Sequence, residues 1–446
     1  MNLALSENKI SLFLFFSLFP SFFYAGNNLL SVSISSILLS IFFLSIKDNL
    51  NLKFNNLYKF FLFFLAYLIF QILPLPLGIV EILSPKLFQL NQVLDLNYFS
   101  PLSLNPYLSL KYLMVFFISF YIFLYVPILV ENKKTLHRFV ITIISIGLIQ
   151  TVFGLLIYSS GVAQIGVYQK NFYLNSNTGF FINRNNFAFF LVIIFNLLIF
   201  YLNFYQHHVM KKVTQNKFYN LIFSDFIILR VILFIIVLGI ILTKSRIGNL
   251  ALLGSLVTIF LYEWRYKKKI TFLIKTILII FILDIFILSF LFGSEQLVDR
   301  YLASSFEGEQ TRLSVFLFGL YQFMDFSWFG YGMGNFETIF RLNYLDYQHF
   351  YDHVHNDYIE YLGELGVMGT VILGILIFFY FSSVFQLIKL KKLSSEVQCL
   401  LLATTVAILI HSCFDFALHM PANIILVSLT YSLGLCALKK DRFKAH

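Results

Sequence analysis

Residues 352–369 read DHVHNDYIEYLGELGVMG. Two histidines, two aspartates and two glutamates (His353, His355, Asp352, Asp357, Glu360, Glu364) stand directly ahead of an apolar run that can cross a bilayer. Ionisable groups are costly beside lipid, so their gathering at the mouth of a span marks a functional site.

The rest of the chain makes that stretch an exception. Of 446 residues, 59% are hydrophobic and 12% charged. A soluble domain carries about 25% charged residues, so the composition specifies an integral membrane protein. The apolar runs are continuous and approach the roughly 20 residues of a spanning helix. That selects helices over the alternating strands of a barrel. We expect an all-α polytopic membrane protein with about 12 transmembrane helices. They are placed near 10–25, 28–46, 58–80, 112–130, 138–159, 180–203, 224–242, 247–264, 270–292, 364–387, 397–414 and 421–438.

The formal net charge of +10 does not point to nucleic acid, because the basic residues sit in alternate loops. One set carries Lys47, Lys53 and Lys59; Lys133, Lys134 and Arg138; Lys211, Lys212 and Lys217; and Arg265, Lys267, Lys268 and Lys269. It ends with Lys389, Lys391 and Lys392, then Lys439, Lys440, Arg442 and Lys444. The opposite loops are poorer. The positive-inside rule then makes both termini cytoplasmic. Cys399, Cys413 and Cys436 have neither CxxC spacing nor a disulfide pattern. The first apolar run lacks a cleavage site and reads as a retained span. Outward loops are expected near 81–111, 160–179 and 293–363. The last divides the chain into helices 1–9 (1–292), a large partly helical loop (293–363), and helices 10–12 with a tail (364–446). Within it, 311–324 has helical spacing and GYGMG at 330–334 is a turn rather than a phosphate cradle.

Few charges remain on the outer side. Arg184, among three asparagines at a span start, either snorkels to headgroups or grips an anion. Arg246 and Lys244 lie in a turn where Ser245 or Thr243 can cap the next helix, aiming N–H groups at an anion. Arg312 is a weaker anion ligand, with a salt bridge to Glu307 or Glu309 as its alternative.

His355 suits proton transfer near neutrality. Its alternatives are a structural cap and, with Asp352, His353 and Asp357, a metal cluster. Histidines two apart share no helix face, which argues against the metal. Glu360 and Glu364 share a face. Gly363, Gly366 and Gly369 suggest close helix packing. His411, Asp415 and His419 are spaced to share one helical face, and Pro421 to open the next helix.

Taken together, NRNNFA, SRIGNLAL, TR followed by GYGMGNF, HNDYIEYLGELGVMG and HSCFDFALHMPAN resemble the O-antigen ligase/polymerase family of membrane glycosyltransferases, over about residues 175–425. The resemblance implies a GT-C-like fold with a large periplasmic loop in the bacterial inner membrane. It implies transfer of glycan from an undecaprenyl-diphosphate carrier to a hydroxyl of another glycan or of lipid A–core. It implies no nucleotide sugar, no cofactor, no metal and no nucleic acid partner; membrane lipids surround the chain. The family's loop histidine maps onto His355, with His353 adjacent. The diphosphate-holding arginines map onto Arg184, Arg246 and Arg312. His353, Asn356, Asp357, Lys244 and Asp415 would surround them. A protein O-oligosaccharyltransferase and a non-enzymatic transporter of small solutes or anions are the competing readings. A transporter should carry mid-membrane polar sites in an internal repeat, and the sequence has neither.

Overall fold

The computed structural model describes residues 2–46, 55–93, 98–165, 168–208, 225–267, 306–343 and 351–436. The predicted span 270–292 and the basic residues Lys211, Lys212 and Lys217 lie outside the described residues.

The chain is mostly helical. In order, α1 is Asn2–Leu18, α2 Leu29–Ile46, α3 Asn56–Ile72, α4 Leu77–Leu83 and α5 Pro85–Val93. Then follow α6 Pro106–Leu129, α7 Lys133–Ser160, α8 Arg184–His208, α9 Asp225–Leu242 and α10 Arg246–Lys267. The large loop contributes α11 Phe306–Asp325 and α12 Phe336–Asn343. The C-terminal part contains α13 Asp357–Lys389, α14 Ser395–Ser412 and α15 Pro421–Ser432. Two short antiparallel ladders, Leu75–Pro76 with Phe99–Ser100 and Gln164–Ile165 with Tyr168–Gln169, tie loops down.

Among the described residues, six helices are long and apolar enough to cross a membrane: α6, α7, α8, α10, α13 and α14. Five shorter apolar helices lie in α1, α2, α3, α9 and α15. All eleven coincide with predicted spans. Span 58–80 is too long: α3 stops at Ile72, because Pro74 and Pro76 follow and Leu73 is already extended.

Helix α8 is the axis of the bundle. Its apolar residues run around the whole circumference, and such a helix belongs inside. Its spanning stretch is completely buried, with α7, α9, α10, α14 and α15 packed around it. Two asparagines on it are absorbed sideways. Asn196 Nδ2 donates to Ser255 Oγ at 3.2 Å, and Asn203 Nδ2 donates to the Glu263 carboxylate at 3.1 Å.

The large loop docks on α13, and the glycines make this possible. Helix α13 begins at Asp357, about two turns before the predicted 364, because Asn356 caps it by accepting from Ile359 N. It breaks at Gly366, whose φ is +62°. The 330–334 turn fills the break: Tyr331 N donates to Gly363 O and Gly332 N to Glu364 O, both at 3.1 Å. Gly330 also has positive φ, and a Cβ there would lie 2.2 Å from Glu364 O. The GYGMG tract is therefore a docking turn. Of the three glycines expected to serve helix–helix packing, Gly369 does so, facing Tyr67 of α3, whereas Gly363 faces Tyr331 and Gly366 the loop backbone, so those two serve the docking turn instead. The predicted helical segment 311–324 lies within α11, which packs on α13.

Candidate functional site

The polar residues quoted at the outset are divided between two neighbouring arrangements. The first is open. His355 sits in the left-handed region at φ +59°, where non-glycine residues are uncommon. Its Nδ1 meets Asp415 Oδ1 at 3.1 Å. The other Asp415 oxygen accepts from Asn185 Nδ2 at 2.5 Å, and Phe416 N donates to Oδ1 at 3.0 Å. The His355 side chain keeps 18% of its surface exposed, and its Nε2 has no hydrogen-bond partner among the described residues. Burial pushes the Asp415 carboxyl up, but the His355 and Asn185 hydrogen bonds and the imidazole charge hold it down at about 2. An ionised acid thus fixes one ring nitrogen and leaves the other outward, the arrangement that orients a general base.

The second arrangement is sealed. His419 Nδ1 lies 2.7 Å from Asp357 Oδ1, and its Nε2 faces Glu364 Oε2 at 3.3 Å and Glu360 Oε1 at 3.7 Å. Asp357 Oδ2 accepts from Ser412 Oγ and from Leu418 N. Tyr361 OH donates to Leu418 O and Tyr112 OH to His419 O, both at 2.7 Å. Burial opposes charge on His419, yet Glu360, Glu364 and Asp357 lift its pKa well above the ordinary value. His353 leans on this cluster from outside. Its Nδ1 bonds Glu360 Oε1 at 2.5 Å and its ring stacks on Phe416 at 3.8 Å. Burial opposes its charge too, but Glu360 raises its pKa. A histidine whose carboxylate partner raises its pKa holds a proton more tightly and is less free to exchange one with a ligand. Among the described residues, Glu360, Glu364 and His419 present ligand atoms close enough to hold a cation. Asp352, His353, His355 and Asp357 do not form a metal cluster, since each histidine, and Asp357, turns to a different partner.

Arg184 opens α8 directly beside Asn185, and its guanidinium lies 5.2 Å from the centroid of the Tyr173 ring. The Tyr173 hydroxyl, raised mainly by burial, also feels the charges of Arg184, Asp415, Asp352 and Arg312. One exposed ring thus has three predicted site residues around it. Arg246 is exposed in the first turn of α10. Ser245 caps that helix by accepting from Gly248 N at 3.0 Å, as the sequence suggested. Gly248 packs on Ala188, one turn into α8, so Arg246 and Arg184 stand at the same end of adjacent helices. Lys244 lies over Tyr158, 5.5 Å from its centroid. Glu307 and Glu309, offered as partners for Arg312, have no described side chains.

One expectation needs correction. His411, Asp415 and His419 do not share one helical face, because α14 ends at Ser412 and the next residues turn. His411 Nε2 instead faces Asn185 O at 3.2 Å. Asn356, expected to support the site, caps α13 and donates to Cys413 O at 2.9 Å, next to His355. The sequence reading passed over Asn185 and Tyr173. The run of asparagines around Arg184 was the available signal for the first; nothing local singles out the second.

A helical membrane protein with a carboxylate-oriented imidazole and cationic side chains at one end of its bundle defines the class. Residues 231–374 match the family model described as O-antigen ligase, which supports the O-antigen ligase/polymerase family and glycan transfer of that general kind. No curated protein matches the chain. The matched range contains Arg246, Arg312, His353 and His355, while Arg184, Asn185, Asp415 and His419 lie outside it.

Proposed function

We propose that the chain transfers a glycan from an undecaprenyl-diphosphate carrier to an acceptor hydroxyl at the extracytoplasmic face of the bacterial inner membrane. The observation that carries this reading is the relay from Asn185 through Asp415 to His355, beside Arg184. The acceptor hydroxyl attacks the anomeric carbon and gives its proton to His355 Nε2. The bond from that carbon to the diphosphate breaks, and the carrier leaves as an anion. Arg184, Arg246 and Arg312 stabilise the charge that grows on it. A single displacement inverts the anomeric centre. Asp415 keeps the imidazole in the right tautomer and carries the imidazolium that forms. His355 is preferred over His353 because His353 is paired to Glu360, which raises its pKa and makes it slower to give its proton up.

The acceptor is either another carrier-linked repeat or lipid A–core. Gel analysis of lipopolysaccharide in a deletion strain separates them. One repeat left on the core identifies a polymerase; bare core with accumulating carrier-linked polymer identifies a ligase. A wild-type glycan profile in the deletion strain defeats both.

A further inference from the structure

Helix α11 meets α13 through one face. Val315 and Phe318 are buried, and Gly319 lies against Val354 and Ile359, where a Cβ would come within 3.2 Å of either. The other face is apolar as well. Leu313, Leu317, Tyr321 and Met324 recur at i, i+4, i+8 and i+11, and Trp328 in the following turn extends the series; all five are exposed. That spacing draws one stripe along a helix, roughly 22 Å long at about 1.5 Å per residue. From 313 to 324 no residue is charged. A helix face in water carries polar and charged residues, and a helix apolar on both sides is covered on both.

Where the stripe leads shows what covers it. Val367 N donates to Ser327 O at 2.8 Å and Met368 N to Trp328 O at 3.1 Å, so the stripe ends on α13 at the first turn after its break. There Met368 and Val371 are exposed in turn, on a spanning helix of which only 17% is buried within the protein. The stripe thus runs on into a surface that faces hydrocarbon. Tyr321 and Trp328 are of the residue types that collect at the membrane–water boundary. Asp325, on the flank of the stripe, is paired with Lys86 at 3.8 Å.

We propose that α11 is an interfacial helix, seated lengthwise in the adjoining leaflet with this stripe among the lipid acyl chains. A helix so placed sinks its apolar face about 5–10 Å into the headgroup boundary. The partner is the lipid surface itself. Because Gly319 packs on Val354, between His353 and His355, the seat also sets the height of His355 relative to the leaflet, where a lipid-borne diphosphate lies. That last step rests on the function proposed above; the seat does not.

The chain has two tryptophans, Trp264 and Trp328, so Trp264→Phe, a change at an exposed position, leaves Trp328 as the sole fluorophore. The test is fluorescence of the purified full-length protein in nanodiscs of phosphatidylcholine, either plain or dibrominated in its acyl chains. Emission from Trp328 should fall about twofold or more in the brominated lipid and respond little to aqueous iodide. Adding Trp328→Phe and Leu317→Trp moves the probe to the middle of the stripe, where it should be quenched alike; Met324→Trp takes its place where Leu317→Trp does not fold. Emission at either position that ignores bromine and yields to iodide puts the helix in water and overturns the proposal. Protection from both quenchers at either position overturns it too, because a protein partner or a second copy then covers the stripe. Bromine quenching at both positions in a protein whose His355→Ala variant still makes normal surface glycan upholds the seat and defeats only the transfer mechanism.

Discussion

Two imidazole–carboxylate systems lie within one turn of each other, and they use the same functional groups for opposite ends. At His355 one acid holds one ring nitrogen, and the side chain stays partly exposed. At His419 both nitrogens face carboxylates and no surface is exposed. The first arrangement can exchange a proton with a ligand. The second cannot, and it works as a clamp that joins α13 to the turn between α14 and α15. Reactivity here depends on what is left unpaired.

The contrast breaks most visibly at His355. Replacement by Ala should lower glycan transfer about 10²–10⁴-fold, the usual weight of positioned acid–base catalysis, with unchanged thermal unfolding of the purified protein. Transfer within threefold of wild type would remove His355 as the base. His419→Ala should do the reverse. It leaves buried carboxylates without their counter-charge, and breaking a buried pair costs about 3–5 kcal/mol. The expected outcome is poor recovery of folded protein and a lowered unfolding midpoint; full stability would show that the clamp is unimportant.

Asp415→Asn sharpens the comparison further. It retains size but loses the charge that orients His355, so kcat should fall by up to about 10²-fold with little change in acceptor KM, as for a misplaced catalytic group. A purely structural Asp415 would lower stability and leave kcat per folded molecule intact.

The smallest effect is on pH. His353 and His419 have raised pKa values, so their contribution is complete below about 6.5 and is lost as pH rises through the folded values. Asp415 is depressed to about 2, so its contribution is present above about 3.9 and is lost only as pH falls towards that value. Thermal unfolding followed from pH 6 to pH 9 should decline on the alkaline side, and His353→Gln should flatten the decline. An unfolding midpoint that rises with pH over this range would contradict the assignment of both histidines.

Much of this was legible in the chain. Continuous apolar runs locate the helices because a backbone in lipid must satisfy its own hydrogen bonds. Ser245 and Pro421 announce helix starts by local chemistry. The ends of α3 and the start of α13 were less legible, since two prolines and a capping asparagine moved them by several residues. The candidate histidine was named, but its acid was not assigned to it. Asp415 is 60 residues away, and five other acids compete within nine residues of His355.

The sequence by itself determined a membrane-embedded helical chain and a concentration of ionisable groups at one helix mouth, because hydropathy and local caps act over a few residues. Only the tertiary structure decided which acid serves which histidine. That choice depends on where α8, α13 and the 413–420 turn meet, and burial in that junction separates a sealed charge cluster from an open, oriented base.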